Sequence, residues 1–260
     1  MYDIKKIENI KTGFTELDSL LVGGLNPGEL MVIGGRPSMG ATSLALSISK
    51  NILLEKRMPI LWLSFSMNYD EFMKRLISTI SAIPLDKYHK FHLLNSKELE
   101  RLTSSCAQVS RLPIYFEMPF DVHNTQSIVS CFIANIIKND KIFILFVDDI
   151  GRAVSPQNRQ IIPLLLKQIA VNFHIPIIAT TNLNRRPEVR SDKKPRLSDL
   201  RIRNLEKYAD VVSLVYRDEM YDPCSDEKGF AEIITFFFKD DATYSLKLEF
   251  DSNTASFGNP

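Results

Sequence analysis

Tryptophan occurs once in these 260 residues and cysteine three times, and neither sign of charge dominates, with 32 Lys and Arg against 31 Asp and Glu. Each scarcity excludes something. A net charge of +1 gives no overall field that would draw the protein to nucleic acid or a membrane, so any such binding has to come from a local patch. Cys106, Cys131 and Cys224 are odd in number, widely separated and without metal-ligand spacing. Buried free thiols in a reducing cytoplasm are therefore expected. His89 and His92 have no third ligand nearby, so no metal centre is expected there. Long apolar runs are also missing: the longest, Ile142 to Val147, has the length of a buried strand and falls far short of a membrane span. Met1-Tyr2-Asp3-Ile4-Lys5-Lys6 lacks the apolar stretch of a signal peptide. There are no internal repeats and no low-complexity linker. A single domain over 1–260 is expected, with a short lead-in over about 1–12.

What is present is ample core material, 45% hydrophobic residues beside 24% charged ones. Short apolar runs alternate with helical patterns. Strands are expected over Leu30–Gly34, Ile60–Ser64, Ile114–Phe116, Ile142–Asp148, Ile175–Thr180 and Val211–Tyr216. Helices are expected after the glycine loop at 35–42, from Asn68-x-x-Glu71 to about Ser81, and over Ser96–Ser110, Thr125–Asn139 and about Ile161–Phe173. A short helix near 15–21 has Thr15 and Asp18 at the spacing of an N-cap and a capping acid. Two strand-like runs, Ala231–Lys239 and Tyr244–Phe250, flank Asp240-Asp241-Ala242-Thr243, a hairpin signal. The expected class is α/β: a largely parallel sheet with helices on both faces and a C-terminal antiparallel hairpin. In such sheets ligands gather at the C-terminal ends of the strands, here after Gly34, Ser64, Val147 and Thr181.

One of those ends carries Gly35-Arg36-Pro37-Ser38-Met39-Gly40-Ala41-Thr42. It matches the phosphate-loop pattern G-x-x-x-x-G-K-[ST] everywhere except at the lysine, which is Ala41. Backbone N–H groups of such a loop, with the N-terminus of the next helix, cradle phosphate oxygens without help from side chains. The missing lysine removes a charge-assisted hydrogen bond worth about 1.5–3 kcal/mol, or roughly 10- to 150-fold in nucleotide affinity. The plainer reading is a glycine turn that packs a helix on a strand. Asp148 ends the most apolar strand and is either a magnesium-side residue, acting through water beside the Thr42 hydroxyl, or a strand cap. Asn182 either senses a terminal phosphate or its water, or caps a loop. Arg185, Arg186, Arg190, Lys193, Lys194, Arg196, Arg201 and Arg203 stand against Glu188, Asp192 and Asp199, an excess of 8 − 3 = +5. That segment suits a nucleic-acid backbone or is a solvated loop. It has no aromatic residues for base stacking.

Several stretches together resemble the C-terminal motor domain of DnaB-type replicative helicases. They are Thr12-Gly13-Phe14-Thr15-Glu16-Leu17-Asp18, Arg36-Pro37-Ser38-Met39-Gly40, Leu183-Asn184-Arg185, Ser198-Asp199-Leu200-Arg201 and Tyr216-Arg217-Asp218-Glu219-Met220-Tyr221. The resemblance spans about residues 7–257. It implies a RecA-like phosphate-loop fold, a hexameric ring of identical chains, ATP or ADP with Mg2+ between subunits, and single-stranded DNA in the centre. Nucleotide contacts would fall on residues 35–42, Ser43, Asn182 and Arg217, and magnesium on Thr42 and Asp148. The DNA-facing loops would be about Gly151–Arg159, with Arg152 and Arg159, and Arg185–Arg196, with Arg185, Arg186, Arg190, Lys193, Lys194 and Arg196. No counterpart of the family's N-terminal collar is expected within residues 1–260.

The departures from that family fall on catalysis. Ala41 replaces the phosphate lysine, and Ser66 replaces the glutamate that polarises the attacking water. Asn182 stands for a glutamine, Asp149-Ile150-Gly151 for Tyr-Leu-Gln, and Phe237 and Lys239 for a lysine and the arginine finger. Losing the glutamate costs about 10²–10⁴-fold and losing the arginine about 10³–10⁵-fold. The expectation is a cytoplasmic DnaB-like replication protein that binds DNA or a helicase partner with impaired hydrolysis. The alternatives are an active helicase with a rearranged site and a non-enzymatic replication scaffold.

Overall fold

A computed structural model describes residues 9–118, 130, 132, 134–135, 143–152, 159–202 and 205–260. Among these residues nine strands form one sheet in the order β3-β2-β4-β5-β1-β6-β7-β8-β9. β1 (Leu30–Gly35), β2 (Ile60–Ser64), β3 (Ile114–Glu117), β4 (Ile144–Asp148), β5 (Ile177–Asn182) and β6 (Val211–Tyr216) are parallel. β7 (Phe230–Phe237), β8 (Ala242–Asp251) and β9 (Ser256–Gly258) extend the β6 edge in antiparallel fashion. The expected hairpin is therefore present, and β9 adds a strand too short for its sequence pattern to reveal.

Alternation along the strands sends side chains to opposite faces and builds two apolar layers. Met31 and Ile33 of β1 and Ile144 and Phe146 of β4 point into one layer. There they meet Leu44, Ile48 and Ile52 of α2 (Ala41–Glu55) and Phe72 and Leu76 of α3 (Tyr69–Ser81). Leu30, Val32, Leu145 and Val147 point into the other, against Ile162, Leu166 and Ile169 of the helix Ile162–Phe173. Helices thus cover both faces, as expected.

Local capping explains where helices begin. The Asn68 Oδ1 accepts the Glu71 N–H at 2.9 Å, which starts α3, and Asn95 with Glu98 forms a reciprocal capping box at the start of the helix Ser96–Val109. The first helix, Thr15–Leu20, departs from the expected cap. Phe14 is its N-cap and makes no side-chain cap bond. Asp18 turns back to accept the Thr12 N–H at 2.6 Å, the Thr12 hydroxyl at 2.8 Å and the Gly13 N–H at 3.1 Å. Cys106 and Cys224 are exposed free thiols, contrary to the expected burial. Cys106 follows the buried Ser105 onto the outer face of its helix, and Cys224 sits in a surface turn. Of the expected helix over 125–139, only Ser130, Phe132, Ala134 and Asn135 are among the described residues, and Cys131 lies outside them.

Candidate functional site

Register aligns the strand ends that carry the site: Gly35 pairs with Asn182, and Ser64 pairs with Asp148. From Gly35 the chain turns through Arg36–Gly40 into α2. Gly40 has φ +109, and a Cβ there would lie 2.9 Å from the Phe257 ring, so only glycine fits without strain. The first turn of α2 leaves N–H groups without intrahelical partners, pointed at the loop. The Ala41 methyl packs against the apolar layer under α2 and lies 3.3 Å from where a Cβ of Gly35 would stand. Met39 and Ser43 are buried. The loop is therefore closely packed, with N–H groups at the start of α2 and a methyl in place of a lysine side chain.

Asp148 at the end of β4 is fully buried and ringed by hydroxyls. Its Oδ1 accepts from Thr42 Oγ1 and from Thr180 Oγ1, each at 2.6 Å, and its Oδ2 accepts from Ser66 Oγ. Asp149 beside it accepts the Gly151 N–H at 2.8 Å and the Asn182 amide N–H, with Arg152 Nε 3.9 Å away. Burial pushes the Asp149 carboxyl above its usual range, the neighbouring Asp148 adds to this, and the bonds from Gly151 and Asn182 oppose it. A cavity of about 430 Å³ opens beside Thr42 and Ser66, walled by Met67, Asn68, Glu71 and Arg75. Arg75 Nε holds Glu71 Oε1 at 2.7 Å. Loop N–H groups, the Thr42 hydroxyl and the Asp148 carboxylate form a donor set that fits a nucleotide phosphate with magnesium. What the set lacks is the lysine and a carboxylate at position 66.

The remaining residues expected at the nucleotide are occupied elsewhere. Arg36 Nε donates to Glu188 Oε1 at 2.8 Å and its Nη1 to the Leu183 carbonyl at 3.0 Å, so its charge is spent on the segment after β5. Arg217 is buried, donates to the Ser38 carbonyl at 3.1 Å, binds Glu219 and lies 3.8 Å over the Phe250 ring. It braces the loop from behind. Pro37 lies between those two anchored positions, Arg36 and Ser38. Lys239, which the family resemblance would aim at a neighbouring subunit's nucleotide, lies at the opposite end of the strands from the loop, because β7 runs antiparallel and Phe237 pairs with Val211 at the start of β6. Its Nζ donates to Glu29 Oε1 at 2.7 Å, and that bond raises the ammonium above the usual lysine range.

The basic segment divides in two. Arg190 pairs with the fully buried Asp199 and also reaches the Lys194 carbonyl at 2.7 Å. Lys194 pairs with Glu232 at 2.6 Å, Arg196 with Asp192 at 3.3 Å, and Lys193 donates to the Glu188 carbonyl at 2.8 Å. Much of the excess charge read from the sequence thus folds the segment on itself. Arg185 and Arg186 are exposed, the Arg186 guanidinium donating to the Ser198 carbonyl at 3.3 Å, and Arg152 is exposed on the other loop. Residues 153–158, the Arg159 side chain and Arg203 lie outside what is described. Two residues of the arrangement escaped the sequence reading. Thr180, the first polar residue after the apolar Ile177–Ala179 of β5, is a signal that was there to be used. Glu188, counted only as a negative charge, is the partner of Arg36.

A family profile described as the DnaB-like helicase C terminal domain matches residues 9–259. The replicative DNA helicase DnaB of Buchnera aphidicola subsp. Baizongia pistaciae is 32% identical over 265 residues, covering 98% of this chain and 56% of that protein. The DnaB of Haemophilus influenzae is 29% identical over 276 residues, covering 98% of this chain and 58% of that one. The chain therefore spans little more than half the length of these relatives. Among solved structures, the ATPase domain of G40P superposes with a TM-score of 0.88 at 28% identity, covering 99% of this chain and 93% of that one. A DnaB-like replicative helicase, from a structure describing its interactions with primase, gives a TM-score of 0.89 at 28% identity over 99% of this chain and 63% of that one. Among the described residues no helix is long and apolar enough to cross a membrane.

Proposed function

The chain belongs to the family of DnaB-like helicase C-terminal domains, and from that premise we propose a replication protein that holds a nucleotide but hydrolyses it poorly. ATP or ADP with Mg2+ sits on the loop Gly35–Thr42, with Thr42 and Asp148 on the metal side. Single-stranded DNA lies along the exposed arginines Arg185, Arg186 and Arg152. The chain works in a ring of copies, hexameric as the family resemblance implies, or against a replication partner in the cytoplasm.

The observation that carries this reading is the company kept by Asp148. Three hydroxyls surround it, and the positions where the family keeps a lysine and a glutamate hold Ala41 and Ser66. A hydroxyl on a carboxylate binds and orients, but Ser66 cannot accept a proton from water as a carboxylate does. Arg36 does not stand in for the lysine, since its guanidinium is bonded to Glu188 and Leu183.

Nucleotide binding and turnover by the pure protein, measured beside Ala41→Lys, test the reading. Restoring lysine is expected to tighten ATP binding roughly 10- to 150-fold. Steady ATP turnover that Asp148→Ala abolishes would instead establish a working motor with a rearranged site. No rise in melting temperature with millimolar ATP or ADP plus Mg2+ would point to a scaffold without nucleotide.

A further inference from the structure

We propose that the Ser66 hydroxyl takes the place of a magnesium-bound water on Asp148, so that this chain grips its nucleotide largely independently of magnesium. The inference rests on the nucleotide reading above and goes past it, to the terms on which the site binds.

A carboxylate offers about four lone-pair positions. Thr42, Thr180 and Ser66 fill three on Asp148, and the fourth is shut away from solvent because the residue is fully buried. The three donors are not equivalent. Thr42 and Thr180 are β-branched, stiff at χ1, and fixed in α2 and β5. Ser66 is exposed, lies in the turn between β2 and α3, and lines the cavity beside Thr42. It therefore stands between that cavity and the Asp148 Oδ2.

Magnesium dehydrates reluctantly and keeps several waters in carboxylate–phosphate sites. Those waters donate hydrogen bonds to the carboxylate. At Oδ2 the Ser66 hydroxyl already makes the bond that such a water would make, and magnesium entry has to displace it. The loop N–H groups and the start of α2 need no metal to hold phosphate. The Ser66 Oγ that competes with the metal's water therefore leaves the phosphate side intact.

The test is a fluorescent ADP analogue titrated into the full chain in excess magnesium and, separately, in EDTA. Wild type is expected to bind equally within about threefold in the two buffers, a difference below one tenfold step in affinity. Ser66→Ala, which frees Oδ2, is expected to bind about tenfold or more tightly with magnesium than without, the scale of one charge-assisted hydrogen bond. Ser66→Thr keeps the hydroxyl and should behave as wild type, and matched melting curves show that all three are folded. Tenfold magnesium dependence in wild type overturns the proposal, and so does a Ser66→Ala protein as indifferent as wild type. Both outcomes leave the nucleotide reading standing. No binding in either buffer overturns the inference and the nucleotide reading together.

Discussion

Arg190 grips Asp199 with both arms of its guanidinium, Nη1 to Oδ1 at 2.9 Å and Nη2 to Oδ2 at 2.8 Å, and Asp199 has no exposure at all. The same carboxylate accepts the Arg196 N–H at 2.9 Å. One buried acid therefore organises the fold of the segment richest in positive charge, and Arg190 serves that fold before it serves any ligand.

Arg190 is partly exposed, but without it the buried Asp199 carboxylate loses its charge-assisted bonds, at about 1.5–3 kcal/mol. Arg190→Ala is expected to lower unfolding stability on that scale in urea denaturation. Arg190→Lys should recover only part of it, since an ammonium lacks the planar fork. A loss within about 0.5 kcal/mol, typical of an ordinary surface substitution, would contradict the assignment.

The exposed arginines should behave differently. Arg185→Ala is expected to leave melting unchanged, weaken single-stranded DNA binding of every sequence alike, and reduce the slope of log K against log salt by about 0.7. Fluorescence anisotropy across a salt series measures this. An unchanged slope would remove Arg185 from the DNA path.

The hydrogen bond from Arg36, the strongest influence on it, holds the Glu188 carboxyl below the usual carboxylate range. A depressed folded pKa contributes stability that is present above the unfolded value, about 4.3 for Glu, and lost as pH falls through the lower folded value. Glu188 is 39% exposed, so solvent screening limits the pair to under about 1 kcal/mol. Melting temperatures of wild type and Glu188→Gln should differ by a small, constant amount near neutrality and converge below about pH 4. A difference that grows on acidification would have the wrong sign.

Gly40→Ala combines an unfavourable φ with a Cβ placed 2.9 Å from the Phe257 ring. The backbone part alone costs on the order of 1–3 kcal/mol. Adding Phe257→Leu should restore only part of the stability, because trimming the ring relieves the contact and leaves φ as it was. Full recovery in thermal melts would show that strain plays no part.

What the sequence made legible is what depends on near neighbours. The strand, glycine loop and helix of 30–55, the cap at Asn68 and the acid ending β4 each rest on residues a few positions apart, and each is where it was expected. Asp18 shows the limit. Its spacing from Thr15 suits a cap, but Thr12 offers the same carboxylate an N–H and a hydroxyl, and that competition is settled only in three dimensions. Asp199 and Glu188 read as diluting charges, whereas their partners Arg190 and Arg36 make one a buried anchor and the other a tie between two loops. Cys106 shows the limit again: it stands four residues after the buried Leu102 and three before the buried Val109, a spacing that suits the inner face of its helix, yet it is exposed.

The support of Gly40 by Phe257 also sets an order in time. The Phe257 N–H is bound to Ser47 Oγ at 3.0 Å, and its ring sits against the glycine that opens α2. A ribosome adding about 5–20 residues each second makes residue 257 roughly 10–45 seconds after residue 40. Until then Gly40 lacks the Phe257 ring behind it, and the loop is backed from the side of Arg217, which reaches the Ser38 carbonyl. The turn that opens α2 therefore reaches its final packing only once the strand Ser256–Gly258 has docked.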